Sequence, residues 1–179
     1  MDRKEFFLSC AGGLCACMAA NLAAPLPSIA AGAEDWRLPF CRKRYARMLE
    51  LLTERMDEKS LNEVLNGVGR YCESTVSWIP LYKGDLPGYT KKLKETWGAD
   101  LEYDAAHGVI TVATQPHTDC VCPLVSIKDK TPHVVCNCSL GYQEAVFETI
   151  FGKKVRAELK ESVLRGGERC VFVMHLEGA

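Results

Sequence analysis

The spacing of apolar residues changes once along the chain, and that change limits the folds open to it. Between Phe40 and Asp57, the residues Tyr45, Leu49, Leu52 and Met56 recur every three or four positions, which is the spacing of one helix face. Leu61, Val64, Leu65 and Val68 repeat the pattern. Ser60-Leu61-Asn62-Glu63 has the form of a capping box that would start this second helix, with its end near Tyr71 or Cys72. Pro80 to Gly88 reads as loop. Tyr89, Leu93 and Trp97 then mark a short helix stopped by Gly98. Beyond that point the period falls to two. Leu101 and Tyr103 alternate with charges, Val109 to Thr114 is β-branched, and the turn between them predicts a hairpin. Gly141 to Phe151 returns to helix, with Tyr142, Val146, Phe147 and Ile150 on one side and Gly152 at its end. Lys154 to Leu164 and Arg169 to Leu176 read as a last hairpin closed across Gly166-Gly167. The order predicts an α+β fold: N-terminal helices packed on an antiparallel β-sheet, with a C-terminal helix followed by a β-hairpin.

The first residues obey neither period. Asp2, Arg3, Lys4 and Glu5 precede a chargeless run from Phe6 to Ala33, ending in Ala31-Gly32-Ala33. That is the layout of an export signal with an Ala-x-Ala cleavage site. Two prolines and several small polar residues dilute the run below the ~20 strongly apolar residues of a membrane span. Arg3-Lys4-Glu5-Phe6-Phe7-Leu8 resembles a twin-arginine signal, with Lys4 in place of the second arginine. The expectation is a signal peptide over 1–33 and one domain over 34–179, located outside the cytoplasm by the twin-arginine or general secretory route. No stable membrane insertion is expected after processing, and homodimerisation is left open. The formal net charge is −1, so no nucleic-acid partner is expected.

Chemistry concentrates in residues 117–176. The stretch from His117 to Tyr142 holds two Cys-x-Cys pairs, Cys120/Cys122 and Cys136/Cys138. In an extended segment, residues two apart face the same way. Two such pairs suit a tetrahedral sulfur site for zinc or an iron–sulfur centre. Disulfides compete with this reading, because an exported protein meets an oxidising compartment. Inert or redox-active thiols are the third alternative. Seven cysteines lie beyond residue 33, and an odd number argues against a complete disulfide framework.

The strand around Glu161 adds a carboxylate. Val155, Ala157, Leu159 and Val163 alternate onto one face, and Glu161 falls on it. A buried carboxylate needs a partner or a metal. Closing the hairpin on Gly166-Gly167 sets Val163 opposite Cys170 and makes Cys170 a diagonal neighbour of Glu161. His117 and His133 lie in polar loops and read as solvated. Cys41 and Cys72 read as small core residues on helices, and Trp36, Trp78, Trp97 and Tyr89 as core aromatics. No Ser-His-Asp set, phosphate loop or dinucleotide fingerprint is visible, and enzymatic activity is left open.

Cys138-Ser-Leu-Gly141-Tyr142, a helix, Glu161, and then Gly166-Gly167-Glu168-Arg169-Cys170-Val171-Phe172 resemble the end of 4-vinyl-reductase-type domains. These are small-molecule-binding modules. The resemblance covers about 45 residues. In the sensor branch of that family a Cys, a Glu and two later Cys bind a structural zinc. Cys138, Glu161 and Cys170 match three of those positions, and Leu164 stands where the remaining cysteine would be. The resemblance implies a metal site drawn from Cys120, Cys122, Cys136, Cys138, Glu161 and Cys170, with zinc first and an iron–sulfur cluster as the alternative. It also implies a small hydrophobic or ring-shaped ligand. The tail is similar as well to the aminothiazoline-carboxylate hydrolase-like family, which makes a metal- or thiol-dependent hydrolase of a small heterocycle the second reading.

Overall fold

The computed structural model describes residues 36–178. The expected signal peptide and its cleavage site lie outside the described residues. Among the described residues, four α-helices and a four-stranded antiparallel sheet form an α+β fold. Helix α1 runs Arg37–Arg55 and α2 runs Glu58–Ser74. Helix α3 spans Leu86–Trp97 and α4 spans Cys136–Phe151. The strands are β1 Asp100–Asp104, β2 Val109–Ala113, β3 Val155–Glu161 and β4 Val171–Leu176. Their order across the sheet is β1-β2-β4-β3. The C-terminal hairpin therefore adds β4 beside β2 and leaves β3 at an edge.

Two local expectations need correction. The N-cap of α2 is Asp57, whose carboxylate accepts from the Ser60 N–H at 3.0 Å and from the Ser60 hydroxyl at 2.6 Å. Ser60 therefore lies inside the first turn, because an aspartate three residues upstream satisfies its amide. The inner face of α2 carries Leu61, Leu65 and Gly69, whereas Val64 and Val68 are exposed. Gly69 turns that face toward α4. A Cβ at Gly69 would overlap the carbonyl oxygen of Cys138, and one at Gly141 would overlap that of Asn66. The two backbones thus approach closely, and only glycine permits it. Arg70 locks the crossing, pairing with Glu144 at 2.9 Å and Glu148 at 2.6 Å. The same carboxylates accept from the Ala157 and Val155 N–H groups at 3.2 and 3.4 Å. They thereby cover hydrogen-bonding groups of an edge strand.

One face of the sheet is buried. Ile110, Val112, Phe172, Met174, Leu176, Val155 and Ala157 pack with Tyr89, Leu93, Val146, Phe147 and Ile150 of α3 and α4. A second, smaller core joins Leu49 of α1 and Leu61 and Leu65 of α2 to Val125 and Val135. The last two belong to the connection between β2 and α4, which has no helix or strand before a 3-10 turn at His133–Val135. Trp36 and Trp97 are exposed rather than core residues, since each stands at an outer end of its helix. Tyr89 and Trp78 do pack, with stacked rings 6.2 Å apart. No helix among the described residues is long and apolar enough to cross a membrane.

Candidate thiol-rich metal centre

Helix α4 begins five residues earlier than the sequence predicts, at Cys136. The second Cys-x-Cys pair therefore lies on a helix and not on an extended segment. Residues two apart on a helix point about 200° apart, so these two thiols part company. Cys136 is buried, with its sulfur 3.2 Å from the Ser162 hydroxyl. Cys138 faces α2 at the Gly69 crossing, where Cys72 lies within hydrogen-bonding reach one turn further along.

The thiols nonetheless gather. Burial pushes the Cys138 thiol up to about 12, and the neighbouring thiols Cys72, Cys122 and Cys120 add to the rise. Burial pushes Cys120 up to about 11, and charge on Cys122, Cys170 and Cys136 adds to it. Cys136 is raised by burial, against the opposing Ser162 hydrogen bond and the Arg165 charge. The Tyr45 hydroxyl is pushed up to about 12 by burial, then by Cys138, Cys122 and Cys72. Cysteines from α2, the β2–α4 connection, α4 and the residue before β4 thus lie in one neighbourhood, with Cys136 beside Ser162. The group lies at the junction of the two cores, because Cys120 and Cys138 pack on the smaller one and Cys170 on the larger.

Two cysteine expectations change. Cys41 and Cys72 are both exposed, not core residues. Cys41 points away from the smaller core, whereas Cys72 joins the thiol group because Gly69 brings α2 against α4. Sequence reasoning missed Cys72, and the isolated glycine three residues before it was the available signal of a close approach.

Glu161 does not face Cys170 in the expected way. Strand β3 shifts register between Leu159 and Glu161, so that Leu159 opposes Phe172 and Glu161 opposes Val171. The strand then ends, and Val163–Arg165 forms a 3-10 turn. The alternation read to Val163 breaks at this bulge, and Val163 does not pair with Cys170. Glu161 Oε1 accepts from the Glu168 N–H at 2.8 Å and the Arg169 N–H at 3.2 Å. Its carboxylate therefore shapes the loop that delivers Cys170. Among the described residues, no three His, Cys, Asp or Glu side chains converge on one point as they stand. Clustered thiols in a desolvated place oppose one another's ionisation, and a bound cation reverses that opposition.

Residues 99–178 match the model of a family of unknown function (DUF6144). The match takes in the whole sheet, α4 and five of the six gathered cysteines. No curated protein matches the chain. Among solved structures, a trafficking protein particle complex subunit 3 from Naegleria fowleri, covalently bound to palmitic acid, is similar over 80% of this chain and 97% of its own. The identity is 12% and the TM-score 0.49. A vinyl-4-reductase family protein from Methanocaldococcus jannaschii is similar over 78% of this chain and 80% of its own, at 14% identity and a TM-score of 0.39. At these values the chemistry of the thiols rests on this chain's own residues.

Proposed function

We propose that the chain is a metal-binding module whose cation is held by cysteine thiolates and ties the β2–α4 connection to the helices and the sheet. The observation that carries this reading is the gathering of six cysteines from four chain segments at the junction of the two cores. Apolar packing alone does not need cysteine at six such places. Thiolates select zinc, copper(I) or iron–sulfur clusters over hard cations, and zinc is our first assignment because it needs no redox partner. The donors come from Cys120, Cys122, Cys136, Cys138 and Cys170, and Glu161 shapes the loop that carries Cys170. The ligand we assign to the module is a small hydrophobic or ring-shaped molecule, in keeping with the 4-vinyl-reductase-type resemblance of its C-terminal part. Export before function is a further assignment, resting on the chargeless leader and Ala31-Gly32-Ala33.

Elemental analysis and thiol titration of protein purified anaerobically from its native compartment test the central reading. The expected result is bound zinc, or iron with sulfide absorption, together with thiols that react only after chelation. Metal-free protein with Cys120, Cys122, Cys136 and Cys138 joined as disulfides overturns it.

A further inference from the structure

The start of α1 stands clear of the two cores. Every residue from Trp36 to Cys41 is exposed, and the helix first buries a side chain at Ala46. Three of these exposed residues are large and apolar: Trp36, Leu38 and Phe40. The exposure continues along one ridge. Trp36, Phe40, Arg44 and Met48 follow at intervals of four and are all exposed, a spacing that sets helical side chains one above another. The aromatic end of the ridge is ordered without a core around it. The Trp36 and Phe40 rings meet edge to face at 5.5 Å, and the Arg44 guanidinium lies 4.4 Å from the centre of the Phe40 ring. Contiguous exposed apolar surface marks an interaction site.

The same ridge is basic. Arg37, Arg42, Lys43, Arg44 and Arg47 fall between Trp36 and Arg47, and no acidic residue does. Glu34 and Asp35 come just before, so residues 34–47 carry a formal charge of +3 in a chain whose net charge is −1. Arg47 pairs with Glu50 at 2.8 Å, whereas Lys43 and Arg44 face solvent. The connection between β2 and α4 widens the patch. Arg42 Nε donates to the Pro123 carbonyl at 2.6 Å, and Val121 and Leu124 beside Pro123 are exposed.

We infer that this face lays the start of α1 on a lipid bilayer that carries anionic headgroups. The inference goes beyond the reading of the thiols and does not depend on it. Aromatic and cationic side chains share one ridge, and a headgroup layer asks for both at once. Trp36 and Phe40 enter the acyl boundary, while the Arg and Lys stems lie beside them and keep their charges among the phosphates. A nucleic acid would use the cations but gain little from Leu38, Val121 and Leu124. A second copy in a two-fold dimer would set this positive face against itself. No helix among the described residues is long and apolar enough to cross a membrane, so the contact is peripheral and reversible.

Vesicle sedimentation of the full chain, as isolated from its native compartment, tests this. Vesicles of phosphatidylglycerol and phosphatidylcholine in equal parts should bind it, vesicles of phosphatidylcholine alone should bind it far less, and added salt should release it. Lys43→Gln with Arg44→Gln should weaken the binding about 10-fold or more. Trp36→Ala with Phe40→Ala should weaken it about 10-fold or more through lost apolar burial. Lys83→Gln with Lys91→Gln removes the same charge from exposed positions outside the patch and should bind as wild type does. Because all the substituted side chains are exposed, unchanged melting temperatures check that the fold is intact. If a variant fails to fold, the lipid and salt dependence of wild type decides. Equal binding to both kinds of vesicle overturns the inference, as does an equal loss in the two charge variants. Self-association or DNA binding that is lost in Trp36→Ala with Phe40→Ala, in a chain that ignores vesicles, overturns it and assigns the face to that partner.

Discussion

The two cores of this protein are built differently. On the sheet side, two regular layers face each other, and Phe147, Ile110 and Met174 are wholly buried. Tyr89 stands between Trp78 and Phe147, with its ring centroid 6.2 and 5.8 Å from theirs. On the other side, α1 and α2 meet a connection without regular structure, through Leu49, Leu61, Leu65, Val125 and Val135. That connection is held by Asp119 and by the Arg42 side chain donating to the Pro123 carbonyl at 2.6 Å. Apolar burial scales with area, and the second region buries fewer apolar side chains than the first. The cysteines stand at the seam between the two.

The sharpest way to break this contrast is to chelate the cation proposed above. Chelation of the purified protein should release the connection and expose Val125 and Val135, while the sheet-side core persists. Structural zinc can supply about 10 kcal/mol or more of apparent folding free energy in small metal-dependent domains. The loss should therefore be several kilocalories, confined to one side. Hydrogen exchange checks it: fast exchange at residues 114–135 with protected β2 and β4 is expected, and uniform loss across both regions contradicts the contrast.

The next effect concerns the helix pair that spans the seam. Gly69→Ala sets a methyl group against the Cys138 carbonyl and must push α2 from α4, costing about 1–3 kcal/mol as overpacking does. It should also alter the reactivity of Cys72 and Cys138. Gly67 has nothing near its missing Cβ, so Gly67→Ala should stabilise by about 0.5–1 kcal/mol through helix propensity alone. Thermal melts of the two variants should move in opposite directions. The same sign for both would mean that the helices are not in backbone contact.

Most of this architecture could be read from spacing. The periods of Tyr45, Leu49 and Leu52, and of Val109 to Thr114, marked a helix and a strand that the structure contains. Gly98 and Gly152 ended helices as expected, each at a φ of 65°. The errors cluster at the seam. Cys136 to Leu140 carried no helical signal strong enough to outweigh the Cys-x-Cys pattern, so the first turn of α4 passed as extended chain. Val155 to Val163 alternates without a break, and a bulge changes register without changing the letters of a strand. His117 looked like a solvated loop residue, yet its Nε2 is buried with no hydrogen-bond partner among the described residues, which is a property of three-dimensional neighbours. Cys72 needed the helix crossing to reach the other thiols. What spacing could not show is which segments meet, and the thiol group is made where four of them do.

A smaller effect separates two roles for Glu161. Its Oε1 serves the loop amides of Glu168 and Arg169, and a charged hydrogen bond of this kind contributes about 1.5–3 kcal/mol at most. Glu161→Ala should therefore lower stability by about 1 kcal/mol, and Glu161→Gln, which keeps an acceptor, should restore most of it. Metal content should stay the same in both. Lys160→Ala, exposed on the adjacent position, should stay within about 0.5 kcal/mol of wild type. Loss of metal in Glu161→Gln would instead make the carboxylate a ligand.

The smallest expected effect is set by pH at the tie between α2, α4 and β3. Burial alone would raise the Glu148 carboxyl, but the hydrogen bond and charge of Arg70 outweigh it and hold the group below its ordinary value of 4.5. A carboxylate depressed in the folded state contributes stability that is fully present above the unfolded value. That contribution is lost as pH falls from about 4.5 through the lower folded value. Glu148→Gln removes it at every pH. The variant should therefore be less stable than wild type at neutral pH, by about 1 kcal/mol for a partly exposed pair. The two denaturation curves should converge as pH falls through the lower folded value. Other carboxylates titrate in the same window, and the difference between the two proteins cancels them. Because α2 and α4 border both cores, Trp78 fluorescence and Cys138 reactivity should report the same difference. A gap that persists unchanged into acid would mean that Glu148 acts through packing and not through its charge.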